Sequence, residues 1–292
     1  MSDTNHPITR VLLDTSIVRG VVHGDANAKP LTLVDPAASG LSIALANNVV
    51  PEILLALYEG RVAWLDWAAR IHLIDRLLDP TWPIFPNEAE MMILGELSPM
   101  RPARKVDGPH TRAIWALLRD ATKSEDLETG RPFLRSDGIE YQIKSSNLLA
   151  DARAEEHRDA WRDMIGAVQA QIVGHRPSQD HIVELLFKEL FGGRSDERQL
   201  RQRHDGYIRS HSRFVQLALS TGSPYNPRSP NRRGDSFDLE MLQALAVPAL
   251  ICTVDGRLHT HIVASGSKQA SQVLNPEEFL LGSQRQDLSS RL

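Results

Sequence analysis

The sequence of 292 residues has one cysteine and no long uninterrupted hydrophobic run. Cys252 alone excludes an internal disulfide and suits a reducing compartment. The longest apolar stretch, from Leu41 to Tyr58, contains two asparagines, Pro51 and Glu52, so it does not predict a membrane span. The polar start MSDTNHP does not resemble a signal peptide. We therefore expect a cytoplasmic protein that makes no membrane contact.

Motifs for two common kinds of ligand are missing as well. Neither a Walker loop nor a GxGxxG motif follows a predicted strand, which excludes nucleotide binding of those kinds. His259 and His261 alternate in the segment RLHTHIV, which the sequence predicts to be a strand. Two histidines without a cysteine or a third ligand are more typical of an exposed strand face than of a zinc site.

Carboxylates are present where predicted strands end and predicted helices begin. The short apolar runs Val11 to Leu13 and Leu250 to Cys252 predict buried parallel strands, which lead to Asp14 and Asp255. Such strand ends meet at one edge of a sheet, where ligands bind. Glu52 and Asp238 lie in the first turns of predicted helices, and a negative charge is favourable there. We therefore expect these carboxylates to share one cleft.

Each carboxylate also has a simpler interpretation. Asp14, together with Ser16, is a good cap for a helix that begins near Ile17. Asp255 and Gly256 between two apolar runs are typical of a two-residue hairpin turn. Glu52, which follows Pro51, is an ordinary first-turn carboxylate. The metal-site hypothesis therefore depends on the four residues together.

Three segments resemble the PIN domain, a metal-dependent ribonuclease fold found in bacterial toxins and RNA-processing nucleases. The first is VLLDTS around Asp14, and the second is Pro51-Glu52 at the start of a leucine-rich helix. The third runs from Asp238 in DLEMLQALA to Asp255 in LICTVD. The resemblance implies an α/β fold, a three-layer α/β/α arrangement with a central parallel sheet, interrupted by a mainly helical insertion. The long interval between Glu52 and Asp238 requires that insertion.

The resemblance also implies a chemistry, which is hydrolysis of RNA phosphodiester bonds by an endoribonuclease. Mg²⁺ or Mn²⁺ would be held by Asp14, Glu52, Asp238 and Asp255, since hard cations prefer oxygen ligands. Asp14 and Asp255 are the stronger candidates for direct binding, and Asp235 is an alternative to Asp238. Ser16 and Thr253 are candidates for orienting a ligand or the attacking water.

Three kinds of partner follow from the same hypothesis: RNA, a small antitoxin protein if the chain is a toxin, and a second copy of the chain in a homo-oligomer. A different hypothesis is that the fold is kept but catalysis is lost. The protein would then be a module that binds RNA or another partner.

Charge divides the chain in the same way as the predicted domains, which are a first core part at 1–96, a helical insertion at 97–229 and a second core part at 230–292. Residues 1–96 with 235–292 carry 10 basic and 19 acidic side chains, whereas 97–234 carry 23 and 18. The basic loop with Arg228, Arg232 and Arg233 leads to the acidic residues, and it is a candidate for binding RNA phosphates. The alternative is a solvated linker.

Apolar periodicity predicts the remaining elements. Helices are expected over residues 50–58, 63–78, 112–123, 148–173, 180–191 and 197–219. The polar stretch 124–147 predicts a loop or short strands.

Overall fold

A four-stranded parallel sheet forms the centre of the protein, in a computed structural model that describes residues 9–36, 39–46, 49–86, 88–96, 108–134, 138–152, 163, 177–220, 238, 241–285 and 287–292. The strands in this part of the chain are β1 (Thr9–Leu13), β2 (Leu41–Leu45), β3 (Arg131–Leu134), β4 (Glu140–Ile143), β5 (Ala249–Cys252) and β6 (Val273–Leu274). The parallel sheet has the order β2-β1-β5-β6, and β3 and β4 form a separate antiparallel pair.

The two central strands are those that the sequence predicts. All residues from Val11 to Leu13 and from Leu250 to Cys252 are completely buried. Strands covered on both faces consist of continuous apolar residues, which is why these short runs form the middle of the sheet. In the register of the sheet, Leu13 lies between Leu45 of β2 and Cys252 of β5.

Helices surround the sheet and connect its strands. In the described residues they are α1 (Thr15–His23), α2 (Val49–Tyr58), α3 (Trp64–Asp75), α4 (Glu88–Gly95), α5 (Gly108–Asp120), α6 (Ser124–Thr129), α7 (Ser145–Ala152), α8 (Gln179–Phe191), α9 (Glu197–Arg203), α10 (Asp205–Ser220), α11 (Gly256–Ala264) and α12 (Pro276–Arg285). Shorter 3₁₀ segments include Ala26–Leu33 and Ala244–Ala246. The chain is thus an α/β protein with a parallel central sheet, as the sequence predicts.

The direction of the two crossovers places helices on both faces of the sheet. The chain runs from β1 through α1 to β2, which lies at one edge of the sheet. It runs from β5 through α11 to β6, which lies at the opposite edge. Because parallel crossovers are right-handed, opposite directions put α1 and α11 on opposite faces. Helix α1 packs against α2 and α3, whereas α11 packs against α10. The strand order therefore changes direction between β1 and β5, which is where such sheets bind ligands.

One continuous hydrophobic core joins the sheet to the segment between Gly108 and Ala152. Its members there include Trp115, Leu118, Leu127, Phe133, Ile143 and Leu149. A separate cluster, formed by Val183, Phe187, Phe191, Leu200 and Ile208, holds α8, α9 and α10 together. The first part of the predicted insertion therefore packs into the same core as the strands, and the later helices have their own apolar contacts.

Several local predictions need correction. The simpler interpretation of Asp255-Gly256 as a hairpin turn is wrong, because RLHTHIV forms α11 and not the predicted strand. His259 and His261 consequently lie on a helix, and His261 is buried with Nε2 2.9 Å from the Ser210 carbonyl oxygen. Its ring stacks on Phe214 at a centroid distance of 3.9 Å.

The helices differ from expectation mainly at their ends. The helix expected over 112–123 is α5, which begins at Gly108, and the one expected over 197–219 is divided into α9 and α10 at His204. His204 is completely buried, stacks on Phe191 and lies 3.1 Å from Glu96, and these contacts accompany the break. The stretch 124–147 contains the expected short strands and also α6. Most of the helix expected over 148–173 lies outside the described residues. No helix in the described part of the chain is long and apolar enough to cross a membrane.

Candidate active site

The candidate site lies where β1 and β5 end side by side. Asp14 immediately follows β1, and its backbone N–H donates to the Cys252 carbonyl oxygen at 3.0 Å. Thr253 immediately follows β5. On the other side of β1, the Ala46 N–H after β2 donates to the Leu13 carbonyl oxygen at 3.1 Å, and α2 begins three residues later. Three consecutive strand ends therefore deliver Asp14, Thr253 and the first turn of α2 to one edge.

Asp14 binds hydrogen-bond donors through both carboxylate oxygens. Oδ1 accepts from the Thr15 backbone N–H at 2.7 Å, so Asp14 caps α1, as one of the simpler interpretations predicts. Oδ2 accepts from the Ser16 hydroxyl at 2.6 Å and from the Thr253 hydroxyl at 2.8 Å. A carboxylate has about four acceptor positions. Donors in the described part of the chain use three of them, and the fourth, on Oδ1, accepts from none of these residues.

The two hydroxyls fix the orientation of this carboxylate. Ser16 Oγ also accepts from the Val254 N–H at 3.2 Å, and Thr253 Oγ1 accepts from the Asp255 N–H at 2.9 Å. The two hydroxyl oxygens are 3.1 Å apart. Asp14 is therefore held by α1 and by the end of β5 at the same time. The structure places Ser16 and Thr253 against Asp14, which sequence reasoning had grouped with them.

Asp255 lies two residues after Thr253, and its carboxylate caps a helix. Its Oδ1 accepts from the backbone N–H groups of Arg257 at 2.7 Å and Leu258 at 3.3 Å, so it caps α11. In the described part of the chain, Oδ2 accepts no hydrogen bond. The backbone of Asp255 is linked to Asp14 through the hydroxyl of Thr253.

Glu52 occupies the first turn of α2, as predicted, and shares an electrostatic environment with Asp14. Burial of this half-buried carboxyl group raises its pKa from 4.5 to about 7. Arg19 lowers the pKa, Asp14 raises it, and Arg61 lowers it with the smallest effect. Within the described residues, Glu52 accepts no hydrogen bond. The charge of this half-buried carboxyl group, which lies near a second carboxylate, is therefore compensated only in part by cations.

Of the remaining predicted residues, the structure describes only Asp238, which is helical and half-buried. Asp235, Arg228, Arg232 and Arg233 lie outside the described residues. The predicted role of the basic loop in binding RNA thus stays a prediction.

Two carboxylates are a suitable start for a divalent cation site. Among the residues that the structure describes, no group of three or more His, Cys, Asp or Glu side chains is arranged to hold a metal. Mg²⁺, however, is usually bound by one or two protein carboxylates and completes its shell with water and substrate phosphate oxygens. Asp14, with a free position on Oδ1, and Glu52, whose charge is disfavoured by burial and by Asp14, match that kind of site.

Sequence reasoning missed Arg19, an exposed residue on α1. Its charge affects Glu52 more strongly than that of Asp14 does. Its spacing from Ser16 indicates only that the two residues share a helix surface, since residues three apart are neighbours there; its influence on Glu52 depends on the packing of α1 against α2.

Comparisons with known proteins give no relative from which a role can be transferred. A scan against models of protein families, a search of curated proteins and a search of solved structures each found no match.

Proposed function

We propose that the protein is a metal-dependent endoribonuclease with a PIN-like arrangement of its catalytic carboxylates. The observation that supports this most is the placement of Asp14 directly after β1 and of Glu52 in the first turn of α2, near enough for the charge of Asp14 to raise the pKa of Glu52. Buried charged groups are normally paired with opposite charges or with metals. Perturbed carboxyl groups of this kind cluster at functional sites. In the proposal, Asp14 and Glu52 hold Mg²⁺ or Mn²⁺, while Asp255 and Asp238 contribute further oxygen ligands.

The protein groups have separate tasks in the proposed reaction. When bound, the cation lowers the pKa of a water molecule and offsets negative charge on the phosphate. Asp14 is held by Ser16 and Thr253, so it presents its remaining Oδ1 position in a fixed direction. Burial raises the pKa of metal-free Glu52 to about 7, so binding of the cation by its carboxylate would release a proton near neutral pH.

The proposal extends to location and partners. We propose RNA as the substrate and a cytoplasmic location. If the protein is a toxin, a small antitoxin would cover the acidic edge of the sheet, and expression of the protein alone would slow growth. Homo-oligomer formation is a further part of the hypothesis.

The function is tested with Asp14→Asn and labelled single-stranded RNA. Asparagine caps helices about as well as aspartate, so α1 is expected to remain intact while the negative charge is lost. We expect metal-dependent cleavage to fall about a hundredfold or more. Asp25→Asn is a matched control, because Asp25 caps the 3₁₀ segment that follows α1 by accepting from Asn27 N–H at 2.9 Å. Unchanged cleavage by Asp14→Asn, or full cleavage in excess chelator, contradicts the proposal.

The alternative is a non-catalytic module that binds RNA or a protein partner. It is favoured by Asp255, whose Oδ1 is already occupied as the cap of α11. RNA binding without metal-dependent cleavage in the wild-type protein would support this alternative over the nuclease.

A further inference from the structure

Arg19 occupies a distinctive place beside the candidate active site. It lies on α1 one turn after Thr15 and Ser16, so it shares the helix surface that begins at the site. Its side chain belongs to an exposed residue, whereas Asp14 is buried. Helix α1 packs against α2, which carries Glu52 in its first turn. An exposed arginine therefore lies on the same helix surface as Ser16, which donates a hydrogen bond to Asp14, and on the helix that packs against α2.

The second arginine near Glu52 provides a useful contrast. Arg61 forms an ion pair with Glu59 at 2.7 Å, and both side chains are well exposed. Arg19 has no ion pair with any other residue that the structure describes, although its charge is the largest cationic influence on Glu52. Arg61 is thus already engaged by a neighbouring carboxylate, while Arg19 remains available for an anionic ligand.

We propose that Arg19 binds a phosphate of the RNA backbone next to the bond held at Asp14 and Glu52, an inference that rests on the proposed nuclease function. A site made of carboxylates repels a polyanion unless cations stand beside it. Arginine is suited to this task, because its planar guanidinium donates two parallel hydrogen bonds to phosphate oxygens. The exposed position on α1 lets a nucleic acid reach this side chain, while Asp14 is buried and Glu52 is half-buried.

The competing explanation is that Arg19 serves only to lower the free energy of the ionised Glu52. In that case the removal of Arg19 changes the protonation state of Glu52 but not the number of contacts with RNA phosphates. Salt dependence separates the two explanations, since each phosphate contact with a single strand contributes about 0.7 to the slope of log affinity against log salt.

The experiment measures binding of a fluorescein-labelled single-stranded RNA to the full chain in excess chelator, so that metal-dependent cleavage does not interfere. The variants are Arg19→Ala, Arg19→Lys and the control Arg61→Ala. For Arg19→Ala we expect affinity to fall about tenfold and the salt slope to decrease by about one contact. Arg19→Lys should recover most of the slope, since it keeps the charge, but only part of the affinity. Arg61→Ala should match the wild type in both quantities.

The outcomes distinguish this inference from the proposed function. Equal affinity and equal salt slope in Arg19→Ala and wild type, or no measurable RNA binding by wild type, overturn the role of Arg19. If wild type cleaves the same RNA when Mg²⁺ replaces the chelator, that failure leaves the nuclease intact. If wild type does not cleave the RNA with Mg²⁺ and Arg19→Ala still loses one contact in the chelator series, the phosphate contact stands and the nuclease function falls. Thermal unfolding of each variant should match wild type, because exposed arginines contribute little to stability.

Discussion

Strand β1 has a buried charged residue near each end, and only the one near its start is paired with opposite charge. Near its start, Arg10 donates from Nε to Glu90 at 2.9 Å and from a terminal nitrogen to the Ser42 hydroxyl at 2.6 Å. Asp79 lies 3.8 Å from the same guanidinium and accepts from the Ser42 hydroxyl at 2.5 Å. At its end, Asp14 receives hydrogen bonds from neutral donors and lies near a second acid, Glu52.

The difference separates a charge that is fully paired from one that is not. Arg10 is surrounded by opposite charge and hydrogen-bond acceptors, so nothing further is needed to satisfy it. Hydrogen bonds from Ser42, Thr81 and Trp82, together with the charge of Arg10, hold the pKa of Asp79 below its usual range despite the opposing effect of its partial burial. Glu52 has its pKa raised, because its ionised form is poorly stabilised. A group left in this state at a ligand-binding edge is a typical functional-site candidate.

The largest loss of stability is expected from replacing Arg10, whose charge is paired near the start of β1. Arg10→Met keeps much of the side-chain volume but leaves Glu90 and Asp79 without their buried cation. Removing one partner of a buried ion pair costs about 3 to 5 kcal/mol, because the other charge remains desolvated. We expect a loss of that size in the free energy of unfolding, measured with a chemical denaturant.

The control for this prediction is an exposed ion pair. Arg131 lies 2.8 Å from Asp120, and both side chains are more than two-fifths exposed. Arg131→Met should therefore change stability by less than about 1 kcal/mol. If Arg10→Met costs no more than this control, the buried network does not carry the stability that its geometry suggests.

The second prediction concerns the unsatisfied end, where a substitution should stabilise the protein. Glu52 has a pKa of about 7 in the folded state and 4.5 as its ordinary value. Between these two values the folded state binds more protons than the unfolded state, so stability falls as the pH rises through this window. Glu52→Gln removes this penalty. Without metal, we expect the free energy of unfolding of Glu52→Gln, relative to that of wild type, to be roughly 2 to 3 kcal/mol higher near pH 8 than near pH 4.

Thermal unfolding as a function of pH measures this difference, and Glu59→Gln is the matched control. Glu59 lies close to Glu52 in the sequence but is exposed and paired with Arg61. Its substitution should show no comparable pH dependence. In addition, Mg²⁺ or Mn²⁺ should raise the melting temperature of wild type more than that of Glu52→Gln, since a ligand that binds only the folded state stabilises it. If the difference in melting temperature between wild type and Glu52→Gln does not change with pH, the raised pKa of Glu52 is contradicted.

The sequence was sufficient for the central strands and for the grouping of Asp14 with Ser16 and Thr253. Short, fully apolar runs predict strands that are buried on both faces, and β1 and β5 are such runs. Their parallel pairing then brings the residues that follow them to the same edge. The capping role of Asp14 was also predictable, because Asp is favoured before a helix.

Other features depend on tertiary contacts or on a choice between equivalent local signals. Asp-Gly is compatible with a hairpin and with a helix start, and the chain uses the carboxylate of Asp255 as a helix cap. Strand β6 has only two residues, so it produces no periodic pattern. The influence of Arg19 on Glu52 arises from the packing of α1 against α2, and no spacing in one segment encodes it.

The smallest effect on stability is expected from Asp14→Asn, the same change that should nearly abolish cleavage. Asparagine can still accept from the Thr15 N–H and cap α1. The hydroxyls of Ser16 and Thr253 lose a charged acceptor, which costs some stability, but the repulsion between Asp14 and Glu52 disappears as well. These two contributions oppose each other, so we expect a net change within about 1 kcal/mol by denaturant unfolding. A loss as large as that of Arg10→Met would mean that both ends of β1 are structural, and the case for a functional carboxylate at Asp14 would then depend on cleavage alone.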